Sequence, residues 1–268
     1  MNKVITLSDS KYFNFGELFI KTRKFIDADF ILYGPDLNKK QISILSSNNI
    51  TYKKIEQKVF DEKMQYLKFK LLHDEIDNNL ENEGITFVDF DTFFVKDWGD
   101  VFKLDMDLGV TVRKESIKTK LLRAYANGGV IFCKNSQRGL AVCKYALGVM
   151  KNGGDLTLKE YDTIFKTLEN GRPAHKTHYR TTLRWWVDQV FLSSLVLRAQ
   201  SKKIRLKSGT VFKFGKYDIG LFDCKKYNRL DPSIKECRDI IRGKNSYIIH
   251  LKKQGREKVK KISKIIQG

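Results

Sequence analysis

Residues 83–100 read EGITFVDFDTFFVKDWGD, a run of strand-forming residues that carries two carboxylates one residue apart. An apolar run at residues 85–88 follows Gly84 and precedes a turn-forming Trp-Gly-Asp corner at residues 98–100, which is typical of a buried strand. Its downstream end carries Asp89 and Asp91, one residue apart. Residues i and i+2 of a strand point to the same face, so the two carboxylates are predicted to converge.

Two converging carboxylates are unfavourable where water is scarce, because like charges repel. A hard divalent cation that takes oxygen ligands from both would relieve the repulsion, so the pair predicts a metal site. The alternative is an ordinary turn at a strand end, with two solvated acids that cap the next segment. D-x-D triplets are common by accident, so the rest of the chain must decide between the two interpretations.

Strands and helices alternate on both sides of this stretch. Strands are predicted at KVITLS, ADFILYG and ITYKKI before it and at DLGVTVR, GGVIFCK, RLKSGTVFKFG and SYIIHLK after it. Helices are predicted at residues 15–25, 61–80, 137–150 and 184–200, and the polar stretch 152–182 indicates a loop-rich insertion. This alternation predicts an α/β fold with a mainly parallel central sheet flanked by helices, whose ligands gather at the carboxyl ends of the strands.

The chain is predicted to form a single domain at residues 1–251, followed by a basic tail at residues 252–268. No internal repeat or proline-rich linker divides it. The tail carries seven basic residues against one acidic residue, and its apolar residues recur at helical spacing: Val259, Ile262, Ile265 and Ile266. Two interpretations stay open: a helix in peripheral contact with an anionic membrane, or a helix packed on its own domain.

Composition indicates a globular protein, since 41% of the residues are hydrophobic and can form a sizeable core. The apolar runs are interrupted by charge well before the roughly 18 residues that a membrane-spanning helix needs. The N-terminus resembles a strand and lacks the features of a signal peptide, which favours a cytoplasmic location. Four cysteines occur without any C-x-x-C pair, so they are interpreted as reduced core thiols.

The formal net charge of +20 calls for an anionic partner, and nucleic acid, acidic phospholipid or a phosphorylated substrate would each qualify. No helix-turn-helix, zinc-finger or RNP-like string appears in the sequence, which favours a protein that does not bind nucleic acid. A nucleic-acid-binding module remains the alternative from another functional class, because it would explain the charge.

Six short motifs follow one another in a suggestive order: SDSKYF, QYLKFKL, FVDFDTFFVKDWGDVF, YANGGVIFCKN, WWVDQVFLSSL and IIHLKKQGR. In this order, over residues 3–256, they resemble the nucleotide-sugar-dependent glycosyltransferases of the GT-A fold, and among them the glycogenin and lipopolysaccharide galactosyltransferase-like group. The resemblance implies a Rossmann-like GT-A domain. It also implies metal-dependent transfer of a sugar from a nucleoside-diphosphate donor, such as a UDP-sugar, to a hydroxyl of a glycan or lipid-linked glycan acceptor.

The resemblance also implies roles for particular residues. The implied metal ligands are Asp89, Asp91 and His250, and the imidazole favours Mn²⁺ over Mg²⁺, which stays possible. The implied donor-binding residues are Thr6, Ser8, Asp9, Tyr12, Asp89, Phe90, Gly128, Gly129, Gln189, Lys253 and Arg256. The implied catalytic residues are Asp188, Lys68 and Asn127, and Lys68 stands where the family commonly has an arginine.

Several alternatives stay open around these residues. Asp188 would act as a general base or as a ligand of sugar hydroxyls, or it is only a helix N-cap. Trp185 and Trp186 would stack on an acceptor sugar, or one of them belongs to the core. His175 and His178 are interpreted as part of an acceptor-side loop rather than as a second metal site. Within enzymes, the rival function is a nucleotidyltransferase on a similar sheet. Such an enzyme usually opens on a glycine-rich phosphate loop, which SDSKYF does not resemble.

Overall fold

Eight strands form a central sheet, and three short strands form a second sheet beside it. The computed structural model describes residues 2–76, 84–114, 125–151, 176–251 and 256–267. The strands are β1 (Asn2–Leu7), β2 (Ala28–Gly34), β3 (Ile50–Lys54), β4 (Gly84–Val88), β5 (Thr92–Phe94), β6 (Leu108–Val112), β7 (Ala126–Lys134), β8 (Thr210–Phe214), β9 (Tyr217–Asp223), β10 (Arg229–Leu230) and β11 (Ile248–His250). The helices are α1 (Glu17–Thr22), α2 (Lys39–Ser47), α3 (Gln57–Glu75), α4 (Gln137–Lys151), α5 (Lys176–Ser201), α6 (Cys224–Tyr227), α7 (Ile234–Gly243) and α8 (Arg256–Gln267).

The strand order of the large sheet is β3-β2-β1-β4-β7-β6-β9-β8. The first four strands in this order pair in parallel, as do β6 and β9, whereas β7 runs antiparallel to both of its neighbours. The predicted α/β fold with a mainly parallel sheet is therefore confirmed. The small sheet, β10-β11-β5, brings the C-terminal strand β11 beside the segment that follows β4.

Hydrophobic cores lie on both faces of the large sheet, as the alternation of elements predicts. One core joins the sheet to α3, α4 and α5 through buried side chains that include Phe69, Leu72, Val142, Leu192 and Val196. The other joins it to α1 and α2 and includes Phe19, Phe30, Leu45, Phe94 and Phe132. All four cysteines are buried and free, as predicted: Cys133, Cys143, Cys224 and Cys237. In the described ranges, no helix has the length and apolar character needed to cross a membrane.

Two local expectations differ from the structure. The predicted insertion extends to residue 182, but α5 already begins at Lys176. Residues 176–182 are polar yet contain neither glycine nor proline, so nothing in them breaks a helix that is held by packing further along. Strand β9 was not predicted, although Gly215, with a φ of 58°, marks the tight turn from β8 into β9.

Strand β7 bulges at the point where it passes β6. Val110 pairs with Ile131 and Val112 pairs with Ala126. A step of two residues along β6 therefore spans a step of five residues along β7, which is a β-bulge. The hydroxyl of Thr111 closes the bulge by donating to the carbonyl of Asn127, at 2.9 Å. On its other side β7 stays in register with β4. The bulge places residues 127–129 beside the carboxyl end of β4, where the carbonyl of Gly129 accepts from the N–H of Asp89 at 2.9 Å.

Helix α8, which forms most of the predicted tail, packs on the domain. Its side chains Val259 and Ile262 are 5% and 0% exposed and lie in a core with β5, β11 and α7. Lys21 of α1 also donates to the hydroxyl of Ser263, at 2.9 Å. The apolar side chains of α8 are therefore used for packing on the domain, which is one of the two interpretations of the tail. Residues 252–255 lie outside the described residues.

Candidate active site

Asp89, Asp91 and His250 come together where the two sheets meet. The two acids lie in the turn between β4 and β5, and β11 pairs with β5 so that His250 stands opposite Thr92. Nε2 of His250 is 3.1 Å from Oδ1 of Asp91 and 3.7 Å from Oδ2 of Asp89. One ligand atom from each of the three residues lies within 4.8 Å of the others. The three predicted metal ligands thus form one cluster.

A hydrogen-bond chain behind the cluster sets the tautomer of His250. The hydroxyl of Thr111 donates its only proton to the carbonyl of Asn127. The same oxygen must therefore accept from Nδ2 of Asn228, at 3.3 Å. Asn228 then turns its oxygen Oδ1 to Nδ1 of His250, at 3.2 Å. Nδ1 must therefore carry the proton, which leaves the lone pair of Nε2 directed at the two acids.

Each acid has one oxygen held by a donor and the other turned toward His250. Oδ2 of Asp91 accepts from the hydroxyl of Tyr12, at 2.5 Å, and Oδ1 of Asp89 lies 3.1 Å from Nζ of Lys68. The remaining oxygens face Nε2, so two carboxylate oxygens and one imidazole nitrogen converge on one position. Two carboxylate oxygens and an imidazole nitrogen fit Mn²⁺.

Sequence reasoning missed Asn228, which lies in no motif and is separated from its partner Thr111 by 117 residues.

We expect Asn228→Ala to lower the affinity for Mn²⁺ by about 10–100-fold, because His250 loses the acceptor that orients it. Titration of the protein with Mn²⁺, followed by electron paramagnetic resonance of the free ion, measures this directly. Asn228→Asp keeps an acceptor for Nδ1 and should restore most of the affinity, and Asn245→Ala, in an exposed turn, serves as control. Equal affinities in all three variants would contradict the orienting role.

The segment after β1 forms the wall of the site nearest Asp91. Burial raises the pKa of Tyr12, and Asp91 raises it further, so its hydroxyl keeps the proton that it donates. Asp9 accepts from the backbone N–H of Tyr12 at 2.6 Å, and Ser8 donates its hydroxyl to the carbonyl of Asp9 at 3.0 Å. Thr6 is buried, and its hydroxyl has no hydrogen-bond partner in the part of the chain that the structure describes.

Lys68 of α3 connects the acid cluster to Asp188 of α5. Its ammonium lies 3.1 Å from Asp89 and 3.2 Å from Asp188, donates to the carbonyl of Gly128 at 3.0 Å, and stands over the ring of Phe87. Burial lowers the pKa of Lys68, but the two carboxylates outweigh it and hold the pKa above its usual value. Lys68 is therefore a buried cation shared by two acids.

Asp188 is buried in the interior of α5, so the N-cap interpretation is wrong. Burial raises the pKa of its carboxyl, although Lys68 acts in the opposite direction. One carboxylate oxygen faces Lys68, and the other accepts from the backbone N–H of Gln189 at 2.8 Å. Gln189 itself is half-buried beside it.

The glycines of the β7 bulge leave room for these side chains. A Cβ on Gly128 would lie 2.4 Å from a carboxylate oxygen of Asp188, and a Cβ on Gly129 would lie 2.7 Å from the ring of His250. Asn127 accepts from the N–H of Gly129 at 3.0 Å, but its buried Nδ2 has no partner among the described residues. Close approach and an unused donor are what a polar ligand needs at this point.

The remaining predicted site residues are placed as follows. The side chain of Phe90 packs in the core against Phe13 and Phe19 and does not join the cluster. Lys253 lies outside the described residues, and Arg256 begins α8 with its side chain outside them. The other predicted acceptor-side residues, or their side chains, also lie outside the described part: His175, His178, Trp185 and Trp186.

Comparison with known proteins identifies the fold. No family model and no curated protein sequence matches the chain. A solved structure of the galactosyltransferase LgtC, in complex with donor and acceptor sugar analogues, matches with a TM-score of 0.55 at 9% identity, over 99% of this chain and 95% of that chain. The bifunctional glycosyltransferase WbbM matches with 0.56 at 9% identity, over 99% and 49% of the two chains. The glycosyltransferase GlyE of Streptococcus pneumoniae TIGR4 matches with 0.51 at 15% identity, over 100% and 63%. The chain has the GT-A fold, as predicted.

Proposed function

We propose that this protein is a metal-dependent glycosyltransferase that moves a sugar from a nucleoside-diphosphate donor, such as a UDP-sugar, to a hydroxyl of a glycan or lipid-linked glycan. The observation that carries the proposal is the convergence of Asp89, Asp91 and His250 at the carboxyl end of β4. In open α/β sheets, ligands bind at this edge. The same fold in the glycosyltransferases LgtC, WbbM and GlyE supports the reaction class.

The acids and His250 would hold Mn²⁺, with Mg²⁺ as the alternative. When bound, the ion neutralises the charge that develops on the diphosphate as the sugar leaves. Tyr12 keeps Asp91 turned to the cation, and Asn228 does the same for His250. Both groups act before the donor arrives, so the site is preorganised.

Donor binding is assigned to the edge from β1 to β7. The predicted donor-binding residues that the structure describes at this edge are Thr6, Ser8, Asp9, Tyr12, Gly128, Gly129 and Gln189. The unused hydroxyl of Thr6 and the unused Nδ2 of Asn127 would meet donor hydroxyls, because a buried polar atom without a partner is costly until a ligand satisfies it. Lys253 and Arg256 remain proposed contacts of the diphosphate.

Asp188 and Lys68 would act on the donor sugar. Both oxygens of Asp188 already face a donor, Lys68 on one side and the N–H of Gln189 on the other. This favours a role in orienting sugar hydroxyls over removal of a proton from the acceptor. Lys68 holds the carboxylate of Asp188 in place. The pairing of Lys68 with Asp89 favours the charged form of the lysine.

The test is incubation of the purified protein with a panel of sugar nucleotides and Mn²⁺, with release of nucleoside diphosphate as the readout. We expect release from at least one donor, abolished by EDTA and restored by added Mn²⁺. A second set of reactions with nucleoside triphosphates and sugar phosphates measures pyrophosphate. Pyrophosphate without nucleoside diphosphate would show the rival nucleotidyltransferase, and salt-dependent binding of DNA or RNA without any turnover would favour the nucleic-acid-binding alternative.

A peripheral membrane contact is proposed for the face that carries α8, and the cytoplasmic location stays a prediction. The apolar stripe of α8 is used for packing, so the contact would rest on its exposed lysines and on a neighbouring cleft of about 670 Å³. Lysines and apolar side chains line this cleft together, among them Lys11, Lys21, Lys260, Ile20, Ile44 and Val259. Each lysine near an anionic surface contributes on the order of 1 kcal/mol.

We expect the protein to sediment with phosphatidylserine liposomes at low salt. A variant with Lys260→Glu, Lys261→Glu and Lys264→Glu should stay in the supernatant, because it reverses exposed charges without touching the packed stripe. Failure of the unaltered chain to sediment at low salt would remove the membrane contact.

A further inference from the structure

Arg113 directly follows β6 and carries a guanidinium edge that has no partner among the described residues. Its backbone N–H continues the ladder by donating to the carbonyl of Tyr125, at 2.8 Å, so its position is fixed by the sheet. Nε and Nη2 are both buried and have no hydrogen-bond partner among the described residues. These two nitrogens form one edge of the guanidinium, and that edge matches the two oxygens of a carboxylate or phosphate.

The acid nearest in register is already used. Val112 pairs with Asp223 of β9, but Asp223 accepts from Lys114 at 3.0 Å and caps α6 through the N–H of Lys225. None of the ion pairs among the described residues includes Arg113, and its contact here is the thiol of Cys224. Burial lowers the pKa of Arg113, because it removes the water that stabilises the charged form, while Cys224 acts in the opposite direction.

Arg113 lies on the site side of the sheet. Residues i and i+2 of a strand share a face, so Arg113 points to the same side as Thr111, which contacts both Asn127 and Asn228. Arg113 is one pleat nearer the carboxyl edge than Thr111. It therefore lies at the carboxyl edge of β6, with its side chain against Cys224 of α6.

The order of strands tells which substrate Arg113 would meet. Along the edge, β1 carries the proposed nucleotide residues, β4 leads to the metal ligands, and the β7 bulge carries the glycines beside Asp188. Strand β6 comes next, about 5 Å beyond β7. A group at Arg113 thus lies past the donor sugar, on the side from which an acceptor must approach.

We propose that Arg113 binds an anionic group of the acceptor, so that this enzyme glycosylates acceptors that carry a carboxylate or a phosphate close to the reacting hydroxyl. The proposal rests on the proposed function, because it takes the donor to occupy the edge from β1 to β7. It names the acceptor class that the unpartnered edge of Arg113 recognises.

Binding of matched sugars tests the proposal without requiring turnover. The probes are glucose, glucuronate and glucose 6-phosphate, titrated against the protein with UDP and Mn²⁺ present and followed by saturation-transfer NMR. We expect at least one acidic sugar to bind about tenfold or more tightly than glucose. Preference for glucuronate indicates a carboxylate acceptor, and preference for glucose 6-phosphate indicates a phosphorylated one. Equal affinity for all three sugars overturns the proposal.

Three variants locate the effect. Arg113→Gln should abolish the preference for the acidic sugar, and Arg113→Lys should restore part of it, because lysine keeps the charge without the two-nitrogen edge. Lys114→Gln, which removes the neighbouring cation that is already paired, should retain the full preference. Thermal unfolding of each variant excludes loss of the fold as the cause. A preference that survives Arg113→Gln, or that Lys114→Gln abolishes equally, contradicts the assignment to Arg113.

The donor assay separates this proposal from the proposed function. If no donor releases nucleoside diphosphate, the proposed function fails whatever the sugars show. If donors turn over and Arg113→Gln raises the KM for the donor as much as it weakens the acidic sugar, then Arg113 serves the donor and the acceptor proposal is wrong.

Discussion

Asp91→Asn is expected to lower Mn²⁺-dependent release of nucleoside diphosphate by about a thousandfold. The variant keeps the shape of the side chain and an oxygen for the hydroxyl of Tyr12, but it removes the charge that faces Nε2 of His250 at 3.1 Å. A metal that stabilises a leaving group lowers the barrier by several kcal/mol, and about 4 kcal/mol corresponds to a thousandfold change in rate. Initial rates over a range of Mn²⁺ concentrations measure the loss.

The same variant should fold as well as the unaltered protein or better, because it removes one of two converging acids. Asp100→Asn is the matched control, since Asp100 lies on the surface in an ion pair with Lys103, and it should leave the rate unchanged. Full activity of Asp91→Asn, or full activity of the unaltered protein in EDTA, would show that the cluster is not a metal site.

Lys68→Met is expected to reduce the free energy of unfolding by about 3–5 kcal/mol, because it leaves the buried carboxylate of Asp188 without its cation. Methionine fills a similar volume, so the loss would not come from a cavity. Denaturation in urea at pH 7 measures the difference in the free energy of unfolding.

Lys70→Met gives the matched comparison on the same helix. Lys70 is exposed and pairs with Asp74 one turn along, so its removal should change stability by no more than about 0.5 kcal/mol. Lys68→Arg, which retains the charge, should fall between the two. Lys68→Met as stable as Lys70→Met would mean that the buried pairing contributes nothing to the fold.

The sequence predicts the strand before Asp89 and Asp91 well and the surroundings of the proposed metal site poorly. An apolar run is a local signal, so β4 follows from the residues themselves. Asp89 and Asp91 do converge, but in the turn between β4 and β5 rather than along one face of a strand. His250 was placed only through a resemblance to a family, because nothing local in the chain links it to the acids. The sequence does not predict the role of Asn228, because that role depends on long-range hydrogen bonds with Thr111 and His250.

Asp188 shows a different limit. Two tryptophans followed by an acid and an apolar run suggest a helix start, yet the helix begins twelve positions earlier, at Lys176. Polar residues without glycine or proline do not end a helix, and tertiary packing decides its length. The bulge of β7 is also absent from the pattern, because Asn-Gly-Gly predicts a turn as readily as an interruption inside a strand.

Pairing of β11 with β5 has a consequence for how the protein is made. A ribosome adds about 5–20 residues per second, so Asp89 and Asp91 are synthesised on the order of ten seconds before His250. During that interval β3, β2, β1 and β4 can already pair in parallel, since all four precede residue 89. His250 is made only with the last described strand, β11. Four strands of the sheet can therefore pair before His250 is made, and only a chain translated as far as β11 can complete the proposed metal site.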